Sequence, residues 1–74
     1  MSKLSELAVG QEGVIASIDA TNTAAVRLLE MGMTPGCAVK MIGSAPFGDP
    51  LEVEIRGYHL SLRKTEADLV QLVS

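Results

Sequence analysis

The chain has 74 residues, a formal net charge of −3, one cysteine and one histidine. A chain this short buries only about 60% of the surface its unfolded state exposes, so residues 1–74 make one domain with one small core. Single copies of Cys37 and His59 exclude an intrachain disulfide and a Cys/His zinc cluster, and scattered basic residues in an acidic chain argue against a nucleic-acid surface.

No apolar run approaches the roughly 20 residues that span a bilayer, so direct membrane insertion is not expected. The first residues carry one lysine and no apolar stretch of signal-peptide length. With a lone thiol, which suits a reducing compartment, this gives a cytoplasmic expectation.

Taken in chain order, Leu4-Ser5-Glu6-Leu7 fits a short turn anchored by its two leucines. Val14 to Ile18 is rich in β-branched residues and predicts a strand. Thr21, Asn22 or Thr23 can cap a helix over Thr23 to Met31, because each offers a side-chain oxygen to a free backbone N–H. Ala25, Leu28 and Leu29 mark its inner side, which Val26 and Met33 extend, while Arg27 and Glu30 lie outside. Gly32 suits the stop, since it takes φ > 0 without a Cβ clash. That register makes Leu28 and Met33 the apolar pair that closes a Schellman motif. Thr34-Pro35-Gly36-Cys37 then suits a type II turn, with Pro35 and Gly36 at its two central positions.

Cys37 to Ser44 predicts a second strand, and Ala45-Pro46-Phe47-Gly48-Asp49-Pro50 a rigid loop. Leu51 to Arg56 and Tyr58 to Arg63 each alternate apolar with polar residues. A two-residue turn at Arg56-Gly57 makes them a hairpin. Its register puts Leu51, Val53 and Ile55 with Tyr58, Leu60 and Leu62 on the core side, and Glu54 opposite His59 on the other. Thr65 to Asp68 predicts one helical turn, and Leu69 to Val73 a last strand that can pair with Ala8 to Gly10 and close the sheet. About five short strands with one inserted helix define a mainly β fold, a small, partly open antiparallel barrel.

The runs Leu4 to Leu7, Val9-Gly10, Arg27 to Gly32, Thr34 to Gly36, Ala45 to Pro50 and Gly57 to Ala67 together resemble the ferrous iron transport protein A (FeoA) family, in its order and spacing over nearly the whole chain. The resemblance implies a Src-homology-three-like (SH3-like) barrel. It implies a cytosolic accessory protein for FeoB, the membrane ferrous iron transporter with an N-terminal GTPase domain. It also implies kinship with the C-terminal domain of repressors of the diphtheria toxin repressor type, although no helix-turn-helix segment is present here.

The residues themselves offer little chemistry. His59, Glu54 and Cys37 are the weak metal candidates, with Glu52 and Asp49 as further oxygen donors. The plainer reading pairs His59 with Glu54 across the hairpin and makes Cys37 a small half-buried residue. A nucleophile needs a base and an orienter, and no third partner accompanies Cys37 and His59. No Gly-rich phosphate loop is present, so neither catalysis nor a cofactor is expected. Two aromatic residues, Phe47 and Tyr58, are too few to line a proline-motif groove. Phe47, between Pro46 and Gly48, is the leading partner contact, with Pro46, Asp49, Arg27, Glu30 and Met31 as further contacts; alternatively its ring folds back over one open end of the barrel. Gly32, Pro35, Gly36 and Gly57 are structural. The expected function is a non-enzymatic accessory of ferrous iron uptake, acting by contact with the cytosolic GTPase region of a FeoB-type transporter. The competing readings are a ferrous or divalent metal carrier or sensor, and a module that changes the partner's GTP hydrolysis. The oligomeric state stays open.

Overall fold

The computed structural model describes residues 2–73. In chain order they form β1 (Ser2–Lys3), a 3-10 turn (Leu4–Glu6), β2 (Glu12–Ile18), α1 (Ala24–Glu30), β3 (Ala38–Ser44), β4 (Leu51–Ile55), β5 (Tyr58–Leu62), α2 (Lys64–Ala67) and β6 (Val70–Val73). All strand pairs are antiparallel, in the order β1-β6-β2-β3-β4-β5. The sheet wraps one core as an SH3-like barrel. Its register shifts between Ile15 and Ser17 and between Met41 and Gly43, and such bulges bend a strand sharply enough for a sheet to curl.

The sequence expectation of about five strands misses β1. Ser2 pairs with Leu72 and Lys3 with Gln71, so these two residues, not Ala8 to Gly10, join the last strand. Gly10 instead donates its N–H to the Met41 carbonyl at 2.8 Å. The barrel also stays open, with β1 and β5 as the two edges of the sheet.

Alternation decides which side chains enter the core. Val39 and Met41 of β3, Leu51, Val53 and Ile55 of β4, Leu62 of β5 and Val70 and Leu72 of β6 are buried. Leu4 plugs the core from the 3-10 turn, and Ala25 and Leu28 do so from α1. Val26 and Leu29, assigned to the inner side from their spacing, lie outside at 58% and 41% exposure. A seven-residue helix makes two turns. Once Ala25 and Leu28 face the sheet, the positions beside them point away.

The helix start is held by side chains. Asn22 Oδ1 accepts the Ala24 N–H at 2.8 Å, and Asp19 Oδ1 accepts both the Thr21 hydroxyl at 2.6 Å and the Thr21 N–H at 3.1 Å. The stop is a Schellman motif. Gly32 N–H donates to Leu29 O at 3.0 Å, Met33 N–H donates to Leu28 O at 3.1 Å, and Gly32 sits at φ +95°. Cys37 N–H then closes the following turn onto Thr34 O at 3.1 Å, with Gly36 at φ +90°.

The β4–β5 hairpin matches its expected register, with Ile55 opposite Tyr58 and Glu54 opposite His59. Arg56 and Gly57 both have positive φ, 49° and 83°, as a type I′ turn requires. Tyr58, expected in the core, is partly exposed at the hairpin tip. Its hydroxyl reaches the Met31 carbonyl at the helix end, while Arg56 Nη2 donates to Thr34 Oγ1 at 3.1 Å. The hairpin tip thus clasps the helix stop. A phenol ring needs a partner for its hydroxyl, and the helix end offers a free carbonyl.

Two predictions follow from the helix ends. A Cβ on Gly32 would lie 2.7 Å from the Tyr58 hydroxyl oxygen and would be strained at this φ. Gly32→Ala should therefore lose about 1–2 kcal/mol in urea unfolding, and less in a Tyr58→Phe background. An unchanged midpoint would refute the left-handed stop. At the other end, the Thr21 hydroxyl, and then its N–H, hold the Asp19 carboxyl below the usual range. The depressed folded-state value means this contribution is present above about pH 4 and is lost as pH falls through the folded value. In Thr21→Val, the Asp19 midpoint read by carboxyl NMR should move back up.

Candidate partner-contact site

The loop between β3 and β4 is fixed at three points. Ala45 N–H donates to Pro50 O at 3.0 Å, and Gly48 N–H closes a turn onto Ala45 O at 2.8 Å. Asp49 Oδ1 accepts the Lys64 N–H at 2.9 Å, fastening the loop to the start of α2. Pro46 supplies a fixed φ within that turn, Gly48 takes φ +81°, and the Asp49–Pro50 peptide is cis. On this braced frame the Phe47 ring is 98% exposed. At that exposure it does not fold back over the barrel end. A shallow depression of about 340 Å³ lies at the foot of the loop, lined by Ile42, Ser44, Ala45, Pro50, Glu52 and Ser61.

The other expected contacts divide. Pro46 stands exposed beside Phe47, and Glu30 is exposed on α1. Asp49, although exposed, spends its carboxylate on the Lys64 amide. Met31 is half-buried, and its carbonyl holds Tyr58. Arg27 is not a free surface cation, since its Nη1 meets Glu66 Oε2 at 2.6 Å. Glu66 is the buried charged residue among those described, and its Oε1 also accepts the Arg63 N–H at 2.9 Å. Sequence reasoning overlooked Glu66. The available signal was its place three residues after the helix-capping position, where an acid reaches back to the N–H of the cap.

His59 Nε2 lies 3.8 Å from Glu54 Oε1, both side chains being well exposed. Cys37 is half-buried and packs against the core. Among the described residues no group of three or more His, Cys, Asp or Glu side chains converges. On the outer face, the row Glu12, Lys40, Glu54 and His59 runs across four strands, with Lys40 between the two glutamates and His59 beside Glu54. A shallow groove of about 260 Å³ beside it also takes in Arg56. No helix among the described residues is long and apolar enough to cross a membrane.

Open barrel, inserted helix and braced aromatic loop define a small SH3-like β domain. Residues 2–73 match the FeoA domain, and the chain belongs to the FeoA family, whose members are small accessory domains associated with ferrous iron transport. The chain is 33% identical over 70 residues to the "Fe(2+) transport protein A/Fe(2+) transporter FeoB fusion protein" of Porphyromonas gingivalis, covering 95% of itself and 8% of that protein. It is 34% identical to iron(II) transport protein A from Clostridium thermocellum, with a TM-score of 0.89 over 96% of this chain and 44% of that one. It is 32% identical to Stenotrophomonas maltophilia FeoA complexed with zinc, described as a prokaryotic SH3 domain protein possibly acting as a ferrous iron transport activating factor. That likeness has a TM-score of 0.86 and covers 99% of this chain and 91% of that one.

The Glu66 arrangement yields a ranking. Arg27 is 62% exposed and Glu66 10%, so water screens the arginine end, and Arg27→Ala should cost no more than about 1 kcal/mol. Glu66→Ala strands the Arg63 N–H as well and should cost about 1–3 kcal/mol. Chemical denaturation of the two variants checks the order, and equal losses would show that the ion pair alone accounts for the role of Glu66.

Proposed function

We propose that this chain is a non-catalytic docking partner in ferrous iron uptake, and that Phe47 is the anchor by which it contacts the cytosolic GTPase region of a FeoB-type transporter. The observation that carries the reading is the ring of Phe47, 98% exposed on a loop tied down by Ala45, Gly48 and Asp49. An exposed phenylalanine is costly in water, and a braced loop loses little conformational freedom on binding, which is the setting of an interface hot spot. The fused relative supports the choice of partner, because in that protein the two functions share one chain. Contact with that region would have this domain act on the cytosolic side.

The metal-carrier reading draws on the zinc-complexed relative and on the neighbouring His59 and Glu54. It is weaker, because a tight divalent site needs several convergent ligands. Ferrous titration separates the two readings. Stoichiometric tight binding that Glu54→Ala or His59→Ala abolishes would favour the carrier.

Phe47→Ala should leave the unfolding midpoint within about 0.5 kcal/mol of the parent. It should weaken binding to the transporter's cytosolic region by about 2 kcal/mol, roughly thirtyfold, measured by calorimetry with both folded proteins. Undiminished affinity would remove Phe47 from the interface.

A further inference from the structure

Strand β4 carries two glutamates on the outer face of the sheet, and their neighbours differ. Glu54 stands between Lys40 of β3 and His59 of β5, and Glu12 likewise faces Lys40. Glu52 stands between Gly43 and Ser61, so no basic residue lies opposite it on either strand. Neither ion pair found among the described residues uses its carboxylate. Glu54, two positions along the same face, adds a like charge. No buried side-chain oxygen among the described residues lacks a hydrogen-bond partner, so the Glu52 oxygens open to solvent. The surroundings make a receptor of that opening. The β3 register steps over Ile42, from Met41 opposite Val53 to Gly43 opposite Glu52, and such a bulge leaves its extra residue unpaired. A Cβ built on Gly43 would meet nothing within 4 Å. The result is the depression of about 340 Å³ at the foot of the Phe47 loop. Ile42, Ala45 and Pro50 give it an apolar lining, and Glu52, Ser44 and Ser61 a polar one.

We infer that this depression receives an arginine side chain of the docking partner, standing beside the pocket that takes the Phe47 ring. The inference rests on the docking reading above and adds to it the chemistry of the partner surface. Charge complementarity selects a cation. Glu12, Glu54 and Glu66 each face a basic side chain, whereas Glu52 faces none across the sheet. A partner seated on Phe47 also covers the foot of the loop, and a carboxylate taken out of water without a counter-charge carries a heavy penalty. The same docking that buries the ring therefore demands a positive group over Glu52. The lining selects arginine over lysine. A guanidinium presents five N–H donors in a planar fork, and the Glu52 carboxylate with the two serine hydroxyls offers it several acceptors at once. An ammonium is a compact, more strongly hydrated charge that gains less from such a set. The apolar lining suits the methylene stem.

The experiment is calorimetry with the full chain and the transporter's cytosolic region, both folded. Glu52→Gln should weaken binding by about tenfold or more. It should not lower the unfolding midpoint, because it also removes the repulsion from Glu54. Gly43→Lys sets a cation opposite Glu52 from within the chain. It should weaken binding to a similar extent with the far-ultraviolet spectrum unchanged, so a defect peculiar to either variant does not decide the result. Glu54→Gln, whose carboxylate already faces Lys40 and His59, should change affinity by less than about threefold. Phenylglyoxal treatment of the partner's arginines should weaken the parent chain more than the Glu52→Gln chain. Acetylation of its lysines giving that pattern instead overturns the choice of arginine. Binding that falls with Phe47→Ala but not with Glu52→Gln or Gly43→Lys overturns this inference and leaves the docking reading standing. Equal losses from Glu52→Gln and Glu54→Gln overturn it too, since they reflect only the net charge of the face. Affinity that collapses on adding a chelator assigns Glu52 to a bridging metal ion and overturns it. A parent chain with no affinity for that region removes the docking reading, and this inference with it.

Discussion

The α2 corner, residues 63 to 68, depends on one carboxylate. Glu66 accepts the Arg63 N–H with one oxygen and meets Arg27 with the other. The first bond turns the chain out of β5 into α2. The second reaches 39 residues back to hold α1 against that turn. Two further bonds use the same corner, where Lys64 N–H holds Asp49 of the Phe47 loop and Asp68 accepts from Ser5 beside β1. Three distant segments are thus tied to six residues. A small domain has little core to fix such segments by packing alone. A buried carboxylate is tolerated here because both of its oxygens have charged or backbone donors.

A second clasp works at the other end of α1. The Schellman stop exposes the Met31 carbonyl where Tyr58 can reach it, and the turn after it carries Thr34 to Arg56. The absence of a side chain at Gly32 allows both, since it permits the left-handed backbone and leaves room for the phenol. Helix α1 is therefore held at its middle by Glu66 and at its end by the β4–β5 tip. Its buried contribution is small, Ala25 and Leu28, so these polar ties decide its orientation more than apolar area does.

Legibility in the sequence followed the range of the interaction. The turns at Gly32, Pro35-Gly36 and Arg56-Gly57 are written in adjacent residues, and the hairpin register comes directly from a two-residue turn joined to strict alternation. Strand β1 has two residues and shows no period. Val26 and Leu29 were misplaced because α1 carries apolar residues on most of its circumference, and only the sheet's position selects the inner ones. Tyr58 lies on the predicted side of its strand, but the sheet ends there, and a residue at the rim is not covered. Glu66 showed its local half, the capping position, while its long-range half, Arg27, had no local mark. For Phe47 the loop was legible and the direction of the ring was not, since turn chemistry fixes a backbone and leaves the side chain to its surroundings.

The placement of the two aromatics shapes the proposed contact. An SH3-like fold that binds proline-rich peptides presents a concave, aromatic-lined groove. Here the Tyr58 hydroxyl is bound to a helix carbonyl, and Phe47 stands outward on a loop. The domain therefore offers a projecting ring in place of a groove. In the proposed complex the receiving pocket belongs to the partner, and the fold's task is to hold the ring still. The ties that do so, Ala45 to Pro50, Gly48 to Ala45 and Asp49 to the Glu66 corner, connect the contact residue to the carboxylate that orders the rest of the domain. Loosening that corner would cost the partner contact through the loop's entropy before it altered any atom of the ring.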